Sequence, residues 1–170
     1  DHYQQALTIH REINNRRLQG VVLGNIGLLF MKQNSYSQAI DHYQQALTIH
    51  REVENRQDEG VVLGNLGDAL HKHGAVEEAT KKLLNAIDIC DEFFPAAAGV
   101  FRASLALIHA QQGTFDAAKS LVSEGEPLIV PIPIEHGKFL CKTGHIHLLA
   151  GDRADAESAL KQAQDIANEL

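Results

Sequence analysis

The decapeptide DHYQQALTIH occurs twice in this chain, at Asp1–His10 and again at Asp41–His50. The repetition extends further, because VVLGNIG at Val21–Gly27 returns forty residues later as VVLGNLG at Val61–Gly67. A fixed period of roughly 20 to 50 residues is typical of stacked arrays, in which each unit buries its apolar face against its neighbours. The sequence therefore predicts a repeat protein.

The composition and charge limit the fold and the partners. The chain has 170 residues, of which 44% are hydrophobic and only 5% aromatic, with four Pro and no Trp. This composition is typical of helix pairs rich in Ala and Leu, so we expect an all-α fold. The formal net charge is −7, whereas nucleic-acid binding needs a basic stripe that neutralises phosphates. We therefore expect no nucleic-acid partner and favour a basic or mixed protein partner.

Cysteine content and hydropathy bear on the compartment. Cys90 and Cys141 are the two cysteines, and this pair provides neither a disulfide framework nor a four-ligand zinc site. A reducing compartment is the natural interpretation, so we expect a cytoplasmic protein. No apolar run approaches the roughly 18 residues of a membrane helix, and no signal peptide opens the chain. We therefore expect no membrane partner. Because the chain starts within a repeat, we also expect a fragment of a longer protein.

Apolar residues spaced three and four apart predict a pair of helices in each period. In the first full unit the helices should cover about Gly20–Gln33 and Tyr36–Asn55, with the turn at Asn34-Ser35. Later units should end their first helix at a glycine, because glycine adopts the left-handed cap that other residues resist. The glycines at this place are Gly74, Gly113 and Gly151.

The units resemble the tetratricopeptide repeat, a helix-turn-helix unit with a small residue at its eighth position and Ala at its twentieth and twenty-seventh. The matching residues of units one, two and four are Gly27, Ala39 and Ala46, then Gly67, Ala79 and Ala86, then Gly144, Ala156 and Ala163. Unit three departs, with Arg102 where a large apolar residue is usual and Gly125 where Ala is usual. The resemblance implies a right-handed α-solenoid of antiparallel helix pairs.

The first two units have 40 residues, as in the longer-unit subclass found in kinesin light chains, cell-polarity adaptors and bacterial multidomain signalling proteins. We expect the extra residues to lengthen the second helix and its loop. Three prolines in EPLIVPIPIEHG (Glu126–Gly137) forbid helix continuation, which predicts an extended linker. One array would then contain the second helix of an incomplete repeat, three repeats, the linker and a fourth repeat, at residues 1–19, 20–59, 60–98, 99–125, 126–134 and 135–170.

Two pairs of residues stand out inside the first helices. Gly24 and Gly64 fall on the face that lines the concave groove in the resembling family, where a missing side chain leaves room for a ligand's backbone. Asn25 and Asn65 occupy equivalent mid-helix places although Asn is a poor helix former, and in that family an Asn here grips the backbone of an extended peptide. The alternative is that both are copies from one duplication, solvated or bonded to a neighbouring helix.

Further groove positions follow from the same count. Leu28, Asp68, His71, Lys72 and Leu107 would give an amphipathic groove, although Leu28 and Leu107 would equally suit a core. Lys138 and Lys142 lie one turn apart on one face, at places where carboxylate-clamping tetratricopeptide domains carry basic residues in their third repeat. Because the first-repeat basic residue of such clamps is replaced by Gly24, a solvated lysine pair is the favoured interpretation.

Sequence motifs for catalysis are missing. The chain contains no HExxH, no G-x-x-x-x-G-K-[ST] and no nucleophile elbow, so we expect no enzyme and no cofactor. The histidine pairs His71/His73 and His145/His147 are two residues apart on predicted helices and point in diverging directions, so we expect no metal site.

Three hypotheses for function remain. The first is a non-catalytic protein-interaction module that holds a peptide or partner segment in its groove, with Asn25 and Asn65 on the backbone. The second is an intramolecular regulatory or spacer domain, because Gly137–Leu170 looks like the closing repeats of bacterial signalling proteins. The third is head-to-tail self-association through the exposed terminal helices, residues 1–14 and about 154–169.

Overall fold

The computed structural model describes residues 2–170, and within them the chain forms nine α-helices and no β-strand. The helices are α1 His2–Glu12, α2 Arg16–Lys32, α3 Tyr36–Glu52, α4 Arg56–His73, α5 Val76–Phe93, α6 Pro95–Gln111, α7 Phe115–Ile129, α8 Pro133–Ala150 and α9 Arg153–Glu169. The all-α prediction is confirmed.

The helices form two compact units, Asp1–Phe93 and Phe94–Leu170, called here the N-terminal and C-terminal units. In the N-terminal unit α2 packs against α3 and α4 against α5, while α1 packs against α2 and α3 against α4. In the C-terminal unit α6 packs against α7 and α8 against α9, and α8 also contacts α6 and α7. Sequential antiparallel pairs are thus the building blocks, whereas the repeat boundaries drawn above stay a prediction.

Asparagine caps make the first helix of each pair, α2 and α4, begin earlier than the sequence predicted. Asn15 Oδ1 accepts a hydrogen bond from the Leu18 N–H at 3.2 Å, and Asn55 Oδ1 accepts one from the Asp58 N–H at 3.3 Å. Each cap satisfies an N–H group that has no partner within the helix. As a result α2 begins four residues before Gly20, and α3 ends at Glu52. α2 and α3 have 17 residues each, so the unit is not longer in its second helix alone, as had been expected.

Left-handed residues end several helices as the sequence predicted. Gly74, Gly113 and Gly151 have φ of 96°, 78° and 81°, a region in which a Cβ would be strained. In the first unit Asn34 takes the equivalent role with φ of 57°. Short polar side chains tolerate this conformation best after glycine.

Two further glycines allow close packing between paired helices. A Cβ built on Gly27 would lie 2.6 Å from Cε1 of Tyr43, and one on Gly67 would lie 2.7 Å from Cγ of Leu83. Both partner side chains are fully buried. Burial, together with the charge of Asp68, raises the pKa of the Tyr43 phenol. The small residue of the repeat pattern thus allows the paired helices to approach closely, and the side chains that fill the space are Tyr43 and Leu83.

The proline-rich segment is not the extended linker that was expected. α7 continues through Pro127 to Ile129, and α8 begins at Pro133. A proline in a helix interior costs about 3 kcal/mol, but Ile129 beyond it is completely buried with Ala103 and Phe139, and burial of an isoleucine is worth about 1.5–3 kcal/mol. Pro133 occupies the first helical position, where its missing N–H has no partner to lose. The linker therefore shrinks to a three-residue turn at 130–132.

The two departures of unit three accommodate each other. The Arg102 side chain is mostly buried and its Nε lies 3.7 Å from Oε2 of Glu124. A Cβ on Gly125 would lie 3.2 Å from Cβ of Arg102 and 3.1 Å from the carbonyl oxygen of Gly99. Alanine at position 125 would thus crowd both the arginine and the backbone of α6.

Candidate functional site

Asn25 of α2 and Asn65 of α4 line one pocket of about 130 Å³ in the N-terminal unit. We call it the asparagine pocket. The two helices place these residues at the same register, because Asn65 is the counterpart of Asn25 forty residues later. The lining residues are Gly20, Val21, Gly24, Asn25, Leu28, His50, Asp58, Val61, Val62 and Asn65.

The pocket owes its space to small residues on α2. A Cβ built on Gly24 would meet only Cγ2 of Val62, at 3.7 Å, which is ordinary van der Waals contact. Gly24 is half-buried and forms part of the wall. Gly64 is buried and does not line the pocket. Its prediction as a groove residue is therefore not supported by the geometry, although its sequence context matches that of Gly24.

The two amides have unused hydrogen-bonding capacity. Both Asn side chains are half-buried, and within residues 2–170 neither is engaged in a side-chain hydrogen bond. An Asn amide offers one acceptor oxygen and two N–H donors. Two such groups beside an apolar wall therefore suit a ligand that has both donors and acceptors next to an apolar side chain.

One end of the pocket carries a polar pair that the sequence analysis did not assign. The His50 ring is buried, and its Nδ1 lies 3.9 Å from Oδ2 of Asp58, which is too long for a hydrogen bond. Burial lowers the pKa of His50, against the opposing effect of the Asp58 carboxylate. The pocket thus joins a neutral imidazole and a half-exposed carboxylate to an aliphatic wall. A signal for His50 was present, since His10, His50 and Cys90 recur at the same place of the period.

Of the remaining predicted groove residues in the N-terminal unit, one lines the asparagine pocket and three do not. Leu28 is exposed at the pocket, so it is not part of the core. Asp68 and His71 are half-buried and Lys72 is exposed, but none of the three lines the pocket. Asp68 and His71 have interactions within the chain. Leu28 is therefore the apolar residue of this group that the pocket includes.

Leu107, in the C-terminal unit, is a core residue and the groove prediction for it was wrong. Its side chain is buried in a cluster with Ala106, Ala110, Ala118 and Ile146. This outcome is the alternative that its aliphatic character had left open.

The two lysines of α8 both have partners. Lys138 Nζ donates to Oε1 of Glu135 at 2.7 Å, and Lys142 Nζ donates to Oγ of Ser104 at 2.6 Å. They border a cavity of about 80 Å³ that also includes Phe139. The lysines therefore lie close together, as their spacing predicted, but with their ammonium groups directed to partners on α8 and α6.

A cluster of possible ligand atoms occurs where α8 meets α9. Side-chain atoms of His147, Asp152 and Asp155 lie within 4.8 Å of one another. The Lys119 ammonium lies 2.8 Å from Oδ2 of Asp152 and holds the pKa of that carboxyl below its usual range. A cation on this carboxylate would compete with the lysine. The cluster therefore serves as an ion pair between α7 and the start of α9.

Within the described part of the chain, none of the helices combines the length and the apolar character required to cross a membrane.

Several solved structures have a similar fold. BtubC (BKLC) from P. vanneervenii is similar with a TM-score of 0.77 and 17% identity, over 98% of this chain and 71% of that one. A putative kinesin light chain from Podosopora anserina with nearly identical TPR-like repeats has a TM-score of 0.67 and 13% identity, over 98% and 84%. MamA has a TM-score of 0.61 and 15% identity, over 98% and 90%. No curated protein sequence matches the chain.

The tetratricopeptide repeat family matches residues 1–52 and, overlapping with them, residues 18–92. Together the matches span more than half of the 170 residues. They include α2 to α4 and hence both asparagines of the pocket. The chain belongs to the tetratricopeptide repeat family.

Proposed function

We propose that the N-terminal unit is a non-catalytic interaction module that binds an extended polypeptide segment at the asparagine pocket. The observation that carries this proposal is that Asn25 and Asn65, equivalent residues of two repeats, flank one apolar pocket with amides unused by the fold. Tetratricopeptide repeats generally serve as protein-interaction scaffolds, which agrees with a polypeptide ligand.

The chemistry of the pocket defines the conformation of the ligand. An Asn amide pairs with a peptide group through C=O and N–H together only when that peptide group is not already bonded within a helix. The bound segment is therefore extended. One of its side chains enters the space of about 130 Å³ between α2 and α4, beside Val21, Val61 and Val62. This volume and these neighbours favour an aliphatic side chain.

The charge at the end of the pocket limits the sequence of the ligand. Asp58 is half-exposed there, and the whole chain carries a formal charge of −7. An acidic residue near Asp58 would be repelled, whereas a basic or neutral one would not. The proposed ligand thus combines an aliphatic anchor with basic or neutral neighbours.

Cys90 and Cys141 are free thiols, and a cytoplasmic setting is part of this proposal.

A peptide-display selection on the immobilised chain tests the proposal. Each asparagine would make up to two hydrogen bonds worth about 0.5–1.5 kcal/mol each. If all four bonds form, Asn25→Ala/Asn65→Ala should weaken binding of the selected peptides by about 2–6 kcal/mol, or roughly 30- to 20,000-fold. Alanine is the better helix former, so lost binding would not reflect lost helix. Asn85→Ala is the matched control, because Asn85 is exposed on α5 away from the pocket.

The results distinguish specific binding at the asparagine pocket from non-specific binding of peptides. Peptides that bind the Asn25→Ala/Asn65→Ala variant as tightly as the original chain would show that the asparagines hold no backbone. A selection without enrichment on the folded chain would favour the intramolecular spacer instead. In that event the groove would be covered by another part of a larger protein.

A further inference from the structure

The two near-identical repeats differ in charge at one point beside the asparagine pocket. The first helix of one repeat begins with RRLQG and that of the next with RQDEG. Leu18 and Gln19 of α2 therefore correspond to Asp58 and Glu59 of α4. Asp58 lines the asparagine pocket, whereas Glu59 does not. The second repeat thus adds a carboxylate to a pocket whose other walls come from the shared pattern.

The fold pairs one of these two acids with cations and leaves the other unpaired. Buried Glu59 accepts hydrogen bonds from Arg51 Nε at 2.8 Å and from Arg56 Nη1 at 2.5 Å. Asp58 Oδ2 accepts one from Asn55 Nδ2 at 2.5 Å. In the described part of the chain, no lysine or arginine nitrogen lies within 4.0 Å of the Asp58 carboxylate. Its negative charge is therefore available to a ligand, and its side chain is 35% exposed.

The imidazole next to this carboxylate provides no opposite charge. His50 is 1% exposed, and its Nδ1, at 3.9 Å from Asp58 Oδ2, has no hydrogen-bond partner in the described chain. Burial lowers the pKa of His50 and outweighs the opposing effect of Asp58, so the ring is neutral near pH 7. Arg17, a cation that also lowers the pKa of the ring, is exposed on α2 and lies farther than 4.0 Å from Asp58.

The apolar wall of the pocket suits an unbranched aliphatic stem. Val21, Val61 and Val62 line the space between α2 and α4, and Gly24 keeps it open. A lysine side chain buries its methylene groups along apolar surface while its ammonium remains at polar groups. The ammonium is a compact charge with three N–H donors. One lysine side chain therefore supplies both the aliphatic stem and the positive charge that this pocket accepts.

The Asp58 carboxylate favours an ammonium over a guanidinium. A guanidinium is bound best when two carboxylate oxygens accept from it side by side. Oδ2 of Asp58 already accepts from Asn55 Nδ2, so Oδ1 is the oxygen without a partner in the described chain. A compact ammonium needs only one such oxygen. An acidic ligand residue would meet an unpaired negative charge and be repelled.

On the basis of the function proposed above, we propose that the side chain bound in the asparagine pocket is a lysine. Its methylene groups lie along the three valines of the wall, and its ammonium pairs with the carboxylate of Asp58. Asp58 is then the residue that determines specificity, whereas Asn25 and Asn65 hold the ligand backbone and select for no side chain. The site takes lysine-containing extended segments as its class of ligand.

Titration with defined peptide pools tests the proposal. The probes are fluorescently labelled heptapeptide pools whose central residue is lysine, norleucine, arginine or glutamate and whose other positions are mixtures of uncharged residues. Norleucine has the stem of lysine without the ammonium. Anisotropy measures the apparent affinity of each pool for the whole chain. We expect the lysine pool to bind about tenfold more tightly than the norleucine pool, the lower limit for a charged hydrogen bond, because Asp58 is partly exposed. The glutamate pool should bind most weakly.

Two variants connect this preference with Asp58. Asp58→Asn removes the charge but keeps the shape and an oxygen that can accept from Asn55, so it should abolish the advantage of lysine and leave the norleucine pool unchanged. Asp88→Asn is the matched control, because it makes the same change in net charge at an exposed position of α5 outside the pocket. The advantage of lysine should persist in this variant. Circular dichroism checks that both variants keep their helix content.

The outcomes distinguish this inference from the proposed function. If the lysine and norleucine pools bind equally and Asn25→Ala/Asn65→Ala weakens both, the lysine assignment is overturned while the pocket still binds peptides. A lysine preference that survives Asp58→Asn, or that Asp88→Asn also removes, would overturn the role of Asp58. Tighter binding of the arginine pool would overturn the choice of lysine. If no pool binds, or if the asparagine variant weakens none, the proposed function fails and the lysine assignment fails with it.

Discussion

Two glycines of α2, three residues apart, should respond oppositely to the same substitution. Replacement of a mid-helix Gly by Ala stabilises a helix by about 0.8–1 kcal/mol. At Gly24 the added methyl would meet only Val62, at 3.7 Å, so Gly24→Ala should show this gain undiminished. At Gly27 the methyl would lie 2.6–2.9 Å from three atoms of the Tyr43 ring, and overpacking of a core costs about 1–3 kcal/mol.

The two effects give a difference that can be measured. Gly27→Ala should be between unchanged and about 2 kcal/mol less stable than the original chain, and about 1–3 kcal/mol less stable than Gly24→Ala. For a chain of this size, 1 kcal/mol shifts the melting temperature by about 2–4 °C. Thermal unfolding followed by circular dichroism would resolve the order of the three proteins. Equal stability of the two variants would refute the assignment of Gly27 to close packing.

Binding should follow a different order from stability. Gly24 forms part of the wall of the asparagine pocket, so the methyl of Gly24→Ala reduces the space for a ligand side chain while it stabilises the fold. We expect weaker binding of selected peptides by this more stable variant. A variant that is more stable and binds unchanged would show that Gly24 does not contact the ligand.

Two further predictions concern charged groups. Burial lowers the pKa of His42, whose ring stacks on Phe30 at a centroid distance of 5.2 Å, and also the pKa of His50, which faces Asp58, Glu59 and Arg17. Below about pH 6.5 the unfolded chain therefore binds more protons at these two rings than the folded chain does. The melting temperature should accordingly fall as the pH decreases from 7.5 to 5.5, and it should fall less in His42→Phe. Buried Glu59 accepts from Arg51 Nε at 2.8 Å and from Arg56 Nη1 at 2.5 Å, so Glu59→Gln should reduce the free energy of unfolding in urea by about 1–3 kcal/mol. Glu52→Gln, at the exposed pair with Arg16, should cost less than about 1 kcal/mol; equal losses would contradict the importance of burial.

The fold was predictable because its signals are local and repeated. The forty-residue period, the small residue at Gly27 or Gly67 and the left-handed Gly74 each follow from short stretches of sequence. The asparagine caps at Asn15 and Asn55 were missed because periodicity of apolar residues does not register a polar cap one turn before the first apolar position.

The continuous α7 was missed for a different reason. Pro127 is a local signal against a helix, but the burial of Ile129 between α6 and α8 is a tertiary effect that offsets much of its cost. The same limit applies to Leu107, since no local pattern distinguishes an aliphatic residue in a groove from one in a core. The environment of such residues depends on elements that are distant in sequence, so it could be determined only from the structure.

The pattern of the two repeats still separates residues that the fold needs from residues that it does not. Gly20 and Gly27 recur as Gly60 and Gly67, and packing accounts for all four through the side chains that lie over them. Asn25 recurs as Asn65 under the same duplication, but no side-chain hydrogen bond within residues 2–170 accounts for either amide, and each is a poorer helix former than Ala. Stability alone would favour their replacement, as it would favour Ala at Gly24. Gly24, Asn25 and Asn65, each of which is less favourable in a helix than Ala, therefore line one pocket. Residues that reduce stability and share one surface are typical of a binding site.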